Sequence, residues 1–123
     1  MKYLILIYGN PRSRDIWNGF SREERVDGLK VYERLVEDLA ASGELVVTEA
    51  LADPSQGKRL PAREGSDLTT DGPFAEAKEH LAGFFLVECE SFERALAIAS
   101  RVPEADLGLV EVRPTMSLSG FEM

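Results

Sequence analysis

The stretch Leu81-Ala82-Gly83-Phe84-Phe85-Leu86-Val87-Glu88-Cys89 decides the fold, because it is apolar on both alternating sets of positions. Successive side chains of a β-strand point to opposite faces, so such a run must be covered on both sides. The opening residues 2–8, with Tyr3-Leu4-Ile5-Leu6-Ile7-Tyr8, repeat the pattern. Gly9-Asn10-Pro11 ends this first strand, since Pro cannot donate to a ladder and Gly-Asn favours a turn.

Between the two strands the periodicity changes. Ser21-Arg22-Glu23-Glu24 is a capping box, in which the Ser hydroxyl and the Glu carboxylate satisfy orphan N–H groups at a helix start. Val26, Leu29, Tyr32, Val36 and Leu39 follow at helical spacing, Leu35 widens the stripe, and Ser42-Gly43 stops it. Residues 44–51 read as a second strand, and Asp53-Pro54-Ser55-Gln56-Gly57 as a turn-rich loop. The polar run from Lys58 to Thr70 reads as a short hairpin arm. Beyond the deciding stretch, Ser91 caps a helix with Phe92, Ala95, Leu96 and Ala99 at i, i+3, i+4 and i+7. Pro103 closes it, residues 107–112 form the last strand, and the tail from Pro114 carries no assignment.

The order is β-α-β, an arm, then β-α-β. It predicts one α+β domain over residues 1–123, a ferredoxin-like βαββαβ sandwich. Its four-stranded antiparallel sheet carries two helices on one face and a short hairpin arm. If helices cover one face, the doubly apolar strands need cover on the other. A second copy of the same sheet is the simplest cover, so the expected assembly is a homodimer closing into an α/β barrel.

Composition narrows the function. The 123 residues are 44% hydrophobic and 29% charged, in the range of a folded domain and not of a disordered chain. A net charge of -8 argues against nucleic acid, and Arg12/Arg14 and Lys58/Arg59/Arg63 are too thin to form a basic patch. Cys89 is the single cysteine, which excludes an internal disulfide and a cysteine metal cage. With no signal-peptide pattern and no run long enough to span a bilayer, a cytoplasmic protein without membrane contact is expected. Gly-x-Gly spacing, a Gly-Lys-Ser/Thr tripeptide and a Gly-x-Ser-x-Gly elbow are absent, which removes most nucleotide-binding and serine-hydrolase readings. His80 has no second His or Cys at ligand spacing, so the expectation is a protein without cofactor or metal.

The chemistry-bearing segment runs from Asp71 to His80. Asp71-Gly72-Pro73 is a turn, in which Asp71 either caps backbone N–H groups or serves as a general acid or base beside an apolar interior. Asp71, Glu76, Lys78, Glu79 and His80 lie within ten residues of one another. His80 is the only histidine and the one side chain with an ordinary pKa near neutrality. Asp71 and His80 are the candidate catalytic residues. Phe74, Lys78, Glu79 and Tyr8 are candidates for holding an unknown small molecule, Tyr8 because it joins an apolar body to a polar tip. Tyr8 and Arg113 end adjacent antiparallel strands and are expected at opposite edges, with Arg113 free for a carboxylate of a second subunit. Cys89 reads as a buried small hydrophobe.

The string from Asp71 to Phe84, Asp-Gly-Pro-Phe-Ala-Glu-Ala-Lys-Glu-His-Leu-Ala-Gly-Phe, resembles the signature of the YCII-related family and of its DGPF subgroup. The resemblance extends to the opening Met1 to Tyr8, to Glu23-Glu24-Arg25 and to the closing Val110-Glu111-Val112-Arg113-Pro114. It implies a dimeric α/β barrel built from two ferredoxin-like halves. It also implies proteins with ascribed enzymatic activity, some acting on small aromatic or lactone-like compounds and some encoded beside extracytoplasmic-function sigma factors. The wider family has a His in its first helix, proposed to pair with an Asp. Here Val26 to Leu39 contains no His, Tyr32 lies near the corresponding place, and that dyad is not carried over; His80 stands where Gln is common. The functional expectation is a cofactor-free acid/base enzyme of lyase or isomerase type. The alternatives are a regulatory or partner-binding module and a purely structural homodimer.

Overall fold

A computed structural model describes residues 1–63 and 79–120. The chain runs β1 (Lys2–Gly9), α1 (Pro11–Asn18), α2 (Arg22–Ser42), β2 (Leu45–Ala50), β3 (His80–Glu88), α3 (Phe92–Ala99) and β4 (Val110–Pro114). The strands form one antiparallel sheet in the order β2-β3-β1-β4, the ferredoxin-like arrangement, with β1 and β3 at its centre. The two runs apolar on both faces are therefore the two strands flanked on both sides.

The start signals work as their chemistry dictates. Glu24 N–H donates to Ser21 Oγ (3.1 Å) and Ser21 N–H donates to Glu24 Oε1 (2.8 Å), which fixes the first turn of α2. Arg94 N–H donates to Ser91 Oγ (3.0 Å) at the start of α3. Gly43 ends α2 at φ 81°, a left-handed conformation that costs glycine little. The helix α1 departs from expectation. Asn10 caps it, accepting from Ser13 N–H at 2.8 Å, while Pro11 occupies the first turn, where a missing N–H breaks no intrahelical bond. The Gly-Asn-Pro that ends β1 thus also begins a helix. Residues 58–63 belong to no helix or strand, and the rest of the expected hairpin arm lies outside the described residues.

Tyr3, Ile5 and Ile7 of β1 and Phe85 and Val87 of β3 meet Leu35 and Leu39 of α2 and Ala95, Ile98 and Ala99 of α3. This is the core, and none of these side chains is more than 5% exposed. Cys89 is buried in the same cluster, as expected of a small apolar side chain. The opposite set of positions forms an apolar open face: Leu4 pairs with Leu86 and Leu6 with Phe84. Two irregularities interrupt the ladders, between Ile7 and Tyr8 on the β1–β3 side and between Leu45 and Val47 on the β2–β3 side. Between α3 and β2, Arg94 grips Glu44 with two bonds, Nε to Oε2 at 2.9 Å and a terminal nitrogen to Oε1 at 2.7 Å. Among the described residues no helix is long and apolar enough to cross a membrane.

Candidate functional site

A cavity of about 400 Å³ lies between the helix-side face of the sheet and α2. Its floor is Ile7, Thr48, Gly83 and Phe85, and its roof is Leu29, Tyr32 and Val36. Trp17 of α1 and Glu104, in the 3-10 turn Pro103–Leu107, close the sides. The floor is open at Gly83 for a steric reason: a Cβ there would lie 2.8 Å from the Glu49 carbonyl oxygen of β2. Trp17 is held in place by Arg25, whose guanidinium lies 5.4 Å from the ring centre and whose Nε donates to the Trp17 carbonyl at 3.2 Å.

Walls of this kind suit a flat apolar molecule. Among the described lining, Tyr32 and Glu104 form a hydrogen-bonded pair. Tyr32 Oη donates to Glu104 Oε1, while the Tyr32 ring stacks on Phe85 with centres 6.5 Å apart and planes 8° from parallel. Burial is the largest cause raising the Tyr32 pKa, and the bond to the Glu104 carboxylate adds to it. Tyr32 is therefore a neutral hydrogen-bond donor throughout the working pH range and never a base. The charged residues among the described lining are Glu49 and Glu104, both acidic.

Of the residues singled out from sequence, Asp71, Phe74 and Lys78 lie outside the described residues, as does Glu76 of the same string. His80 is half-buried at the start of β3, opposite Gly9, with its ring over that glycine; a Cβ on Gly9 would sit 2.8 Å from His80 Nε2. It neighbours Asp53, whose carboxyl the Ser55 hydroxyl holds below the usual range, with Arg14 and His80 adding to the effect. Arg14 pairs with Asp53 at 2.8 Å. His80, Tyr8 and Glu79 do not line the Tyr32–Glu104 cavity.

Tyr8 stands on the open face and donates to Glu111 Oε1 at 3.0 Å. Burial and then Glu111 raise its pKa, Arg113 lowers it, and Glu79 contributes a further small rise. Arg113 lies across from Leu4, four residues along β1 from Tyr8, as antiparallel pairing requires. The expected separation of Tyr8 and Arg113 holds along the strands, and Glu111 bridges it at the side chains. Arg113 Nε comes within 3.7 Å of Glu111 Oε2, so one carboxylate links the two within a single chain. Long side chains reach diagonally across a ladder where the backbone positions stay apart.

Sequence reasoning did not single out Trp17 or Glu104. Glu104 stands 72 residues from Tyr32 in a turn with no motif, and only the topology brings the two together. Tyr32 was legible from its place in the first long helix. Among the described residues no group of three His, Cys, Asp or Glu gathers to hold a metal ion.

The YCII-related domain family matches residues 1–119. An uncharacterized protein of Rhizobium meliloti (strain 1021) is 33% identical over 123 residues, covering 93% of this chain and 91% of that protein. Among solved structures, the chain is similar to 5-chloro-2-hydroxyhydroquinone dehydrochlorinase from Burkholderia phenoliruptrix AC1100, solved with 2,5-dihydroxybenzoquinone. That likeness has a TM-score of 0.56 at 17% identity and covers 99% of this chain and 100% of the other, a likeness of fold. With nearly its whole length matched by the family and by a relative above 30% identity, the chain belongs to the YCII-related domain family.

Proposed function

We propose that this protein binds a small, flat molecule in the cavity beneath α2 and carries out cofactor-free acid/base chemistry of the lyase or isomerase type. The observation that carries this reading is the cavity itself. About 400 Å³ of apolar space is lined by aromatic rings and holds an oriented hydroxyl–carboxylate pair, the composition of a ligand site. The similar fold of a protein named for removing hydrogen chloride from a hydroxylated ring, and solved with a quinone, supports a ring compound as the ligand class.

Asp71 and His80 are the proposed proton-transferring groups, and Tyr8, Phe74, Lys78 and Glu79 the proposed ligand-binding residues. His80 and Glu79 stand outside the described lining of this cavity, and Tyr8 lies on the other face of the sheet. The chain is one domain of the DGPF subgroup, acting as a cytoplasmic homodimer with the apolar open faces of two sheets packed together. The test is a titration with small phenols such as catechol, followed at the indole N–H signal of Trp17, the only tryptophan. Saturable movement of that signal in the wild-type protein is expected, with turnover of a bound substrate lost in Asp71→Asn. An indole signal unmoved by the whole set of phenols defeats the reading.

A further inference from the structure

The charges around the cavity restrict its ligand further than its shape does. We infer that Glu104 is the ligand-anchoring residue, its carboxylate accepting a hydrogen bond from an uncharged ring hydroxyl, and that the cavity thereby selects neutral phenols and rejects carboxylates and phosphates. This rests on the cavity being the binding site.

Three observations meet here. The first is hydrogen-bonding capacity. An ionised carboxylate accepts at both oxygens, and Tyr32 uses only Oε1. Among the described residues, no other hydrogen bond to the Glu104 side chain accompanies it, so Oε2 is left to accept. The second is donor polarity. Tyr32 already commits its proton to Glu104 and keeps it, because burial and the carboxylate both oppose ionisation. Its hydroxyl is thus not offered to an anionic ligand, and the pair presents an acceptor to the cavity.

The third is the absence of compensation. The charged residues of the described lining are Glu49 and Glu104, with no Lys, Arg or His. Glu49 pairs with Phe84 of the open face, so its carboxylate points away from the cavity and Glu104 supplies the charge there. A ligand carboxylate entering this space would lose its hydration, meet the like charge of Glu104 and find no cation among the described lining to offset either cost. A ring hydroxyl loses much less and gains a charge-assisted bond. The parallel Tyr32 and Phe85 rings and the indole of Trp17 supply apolar contact for the body of such a ring.

The test compares two compounds of nearly one shape that differ in charge, 4-hydroxybenzyl alcohol and 4-hydroxybenzoate, by calorimetry and by the Trp17 indole signal at neutral pH. The neutral compound is expected to bind the wild-type protein at least about tenfold more tightly, since a like charge facing the Glu104 carboxylate costs more than one factor of ten in affinity. Glu104→Gln removes the charge and keeps the shape. It should weaken the alcohol, strengthen the benzoate and bring the ratio towards one, while Glu49→Gln leaves the ratio as it is.

Equal binding of the two compounds to the wild-type protein overturns the inference and leaves the cavity reading intact. An unchanged ratio in a folded Glu104→Gln protein overturns the assignment to Glu104. If neither compound moves the indole signal, the cavity reading fails and this inference falls with it. The wild-type ratio decides the matter even where the variant does not fold.

Discussion

Two tyrosines on opposite faces of one sheet make the same bond, and their surroundings give it different meanings. Tyr32 donates to Glu104 on the helix side, under α2 and against Phe85. Tyr8 donates to Glu111 on the open side, within reach of Arg113 and Glu79. Burial is the leading cause of the raised pKa in both, but a nearby cation opposes it only at Tyr8. The helix side thus holds a fixed neutral donor, while the open side holds an exposed group of side chains that includes a cation.

The comparison breaks most visibly in the apolar residues behind each pair. Leu35, 1% exposed beneath α2, should cost about 2–5 kcal/mol when changed to Ala, because the core can only partly close on the space left. Leu86→Ala on the open face should cost roughly half as much or less in urea unfolding of the dilute protein, its surface being only partly removed from water. Equal losses would mean that the two faces are equally packed within one chain. Gly83→Ala comes next, at about 1–3 kcal/mol, since the new Cβ would meet the backbone carbonyl of Glu49 at 2.8 Å. Gly9→Ala meets the His80 imidazole, a side chain that can turn away, and should cost less in the same measurement.

The tyrosines themselves give the third effect. Tyr32→Phe leaves a half-buried carboxylate without its donor and should destabilise by about 1–3 kcal/mol, against roughly 0–1 kcal/mol for Tyr8→Phe. Similar values from chemical denaturation would remove the distinction. A third glutamate sharpens it with a charged partner. The two-bond grip of Arg94 lowers the Glu44 pKa from 4.5 to about 2. A carboxyl depressed in the folded state stabilises fully above its unfolded value, and that stability is lost as pH falls from about 4.5 towards 2. Arg94→Met should therefore raise the midpoint of acid unfolding, followed by circular dichroism. An unmoved midpoint would show that the pair contributes nothing. This is the smallest effect, because the Arg94 side chain is 40% exposed and water screens it.

These differences explain what was legible beforehand. The continuous apolar runs in residues 2–8 and 81–89 and the capping box at Ser21 are local signals, and they located the central strands and α2 within a residue or two. The helix α1 is not legible in the sequence because Asn10-Pro11 is equally a turn and a helix start, and the Ser13 side chain that completes the cap is itself a common turn residue. The cavity was hidden for a different reason. Trp17, Tyr32, Phe85 and Glu104 come from four separate elements, and no spacing in the chain connects them. Tyr8 and Arg113 stand apart along their strands as expected, and Glu111, which no sequence pattern marked, touches both.

The irregularity in the β1–β3 ladder has a consequence for chain length. Ile7 faces Gly83 and Tyr8 faces Leu81, which leaves Ala82 as a residue without a partner of its own. Removing it would keep every remaining pair in place, including His80 opposite Gly9, at the loss of the bond from Leu51 N–H to the Ala82 carbonyl. Removing Leu86 instead would turn each preceding side chain of the strand to the other face. Ala82, and Val46 at the matching irregularity in β2, are the places where these strands can absorb an insertion or a deletion without readdressing the rest. Length variation among homologous strands should therefore collect at these two positions, where a single-residue deletion is survivable.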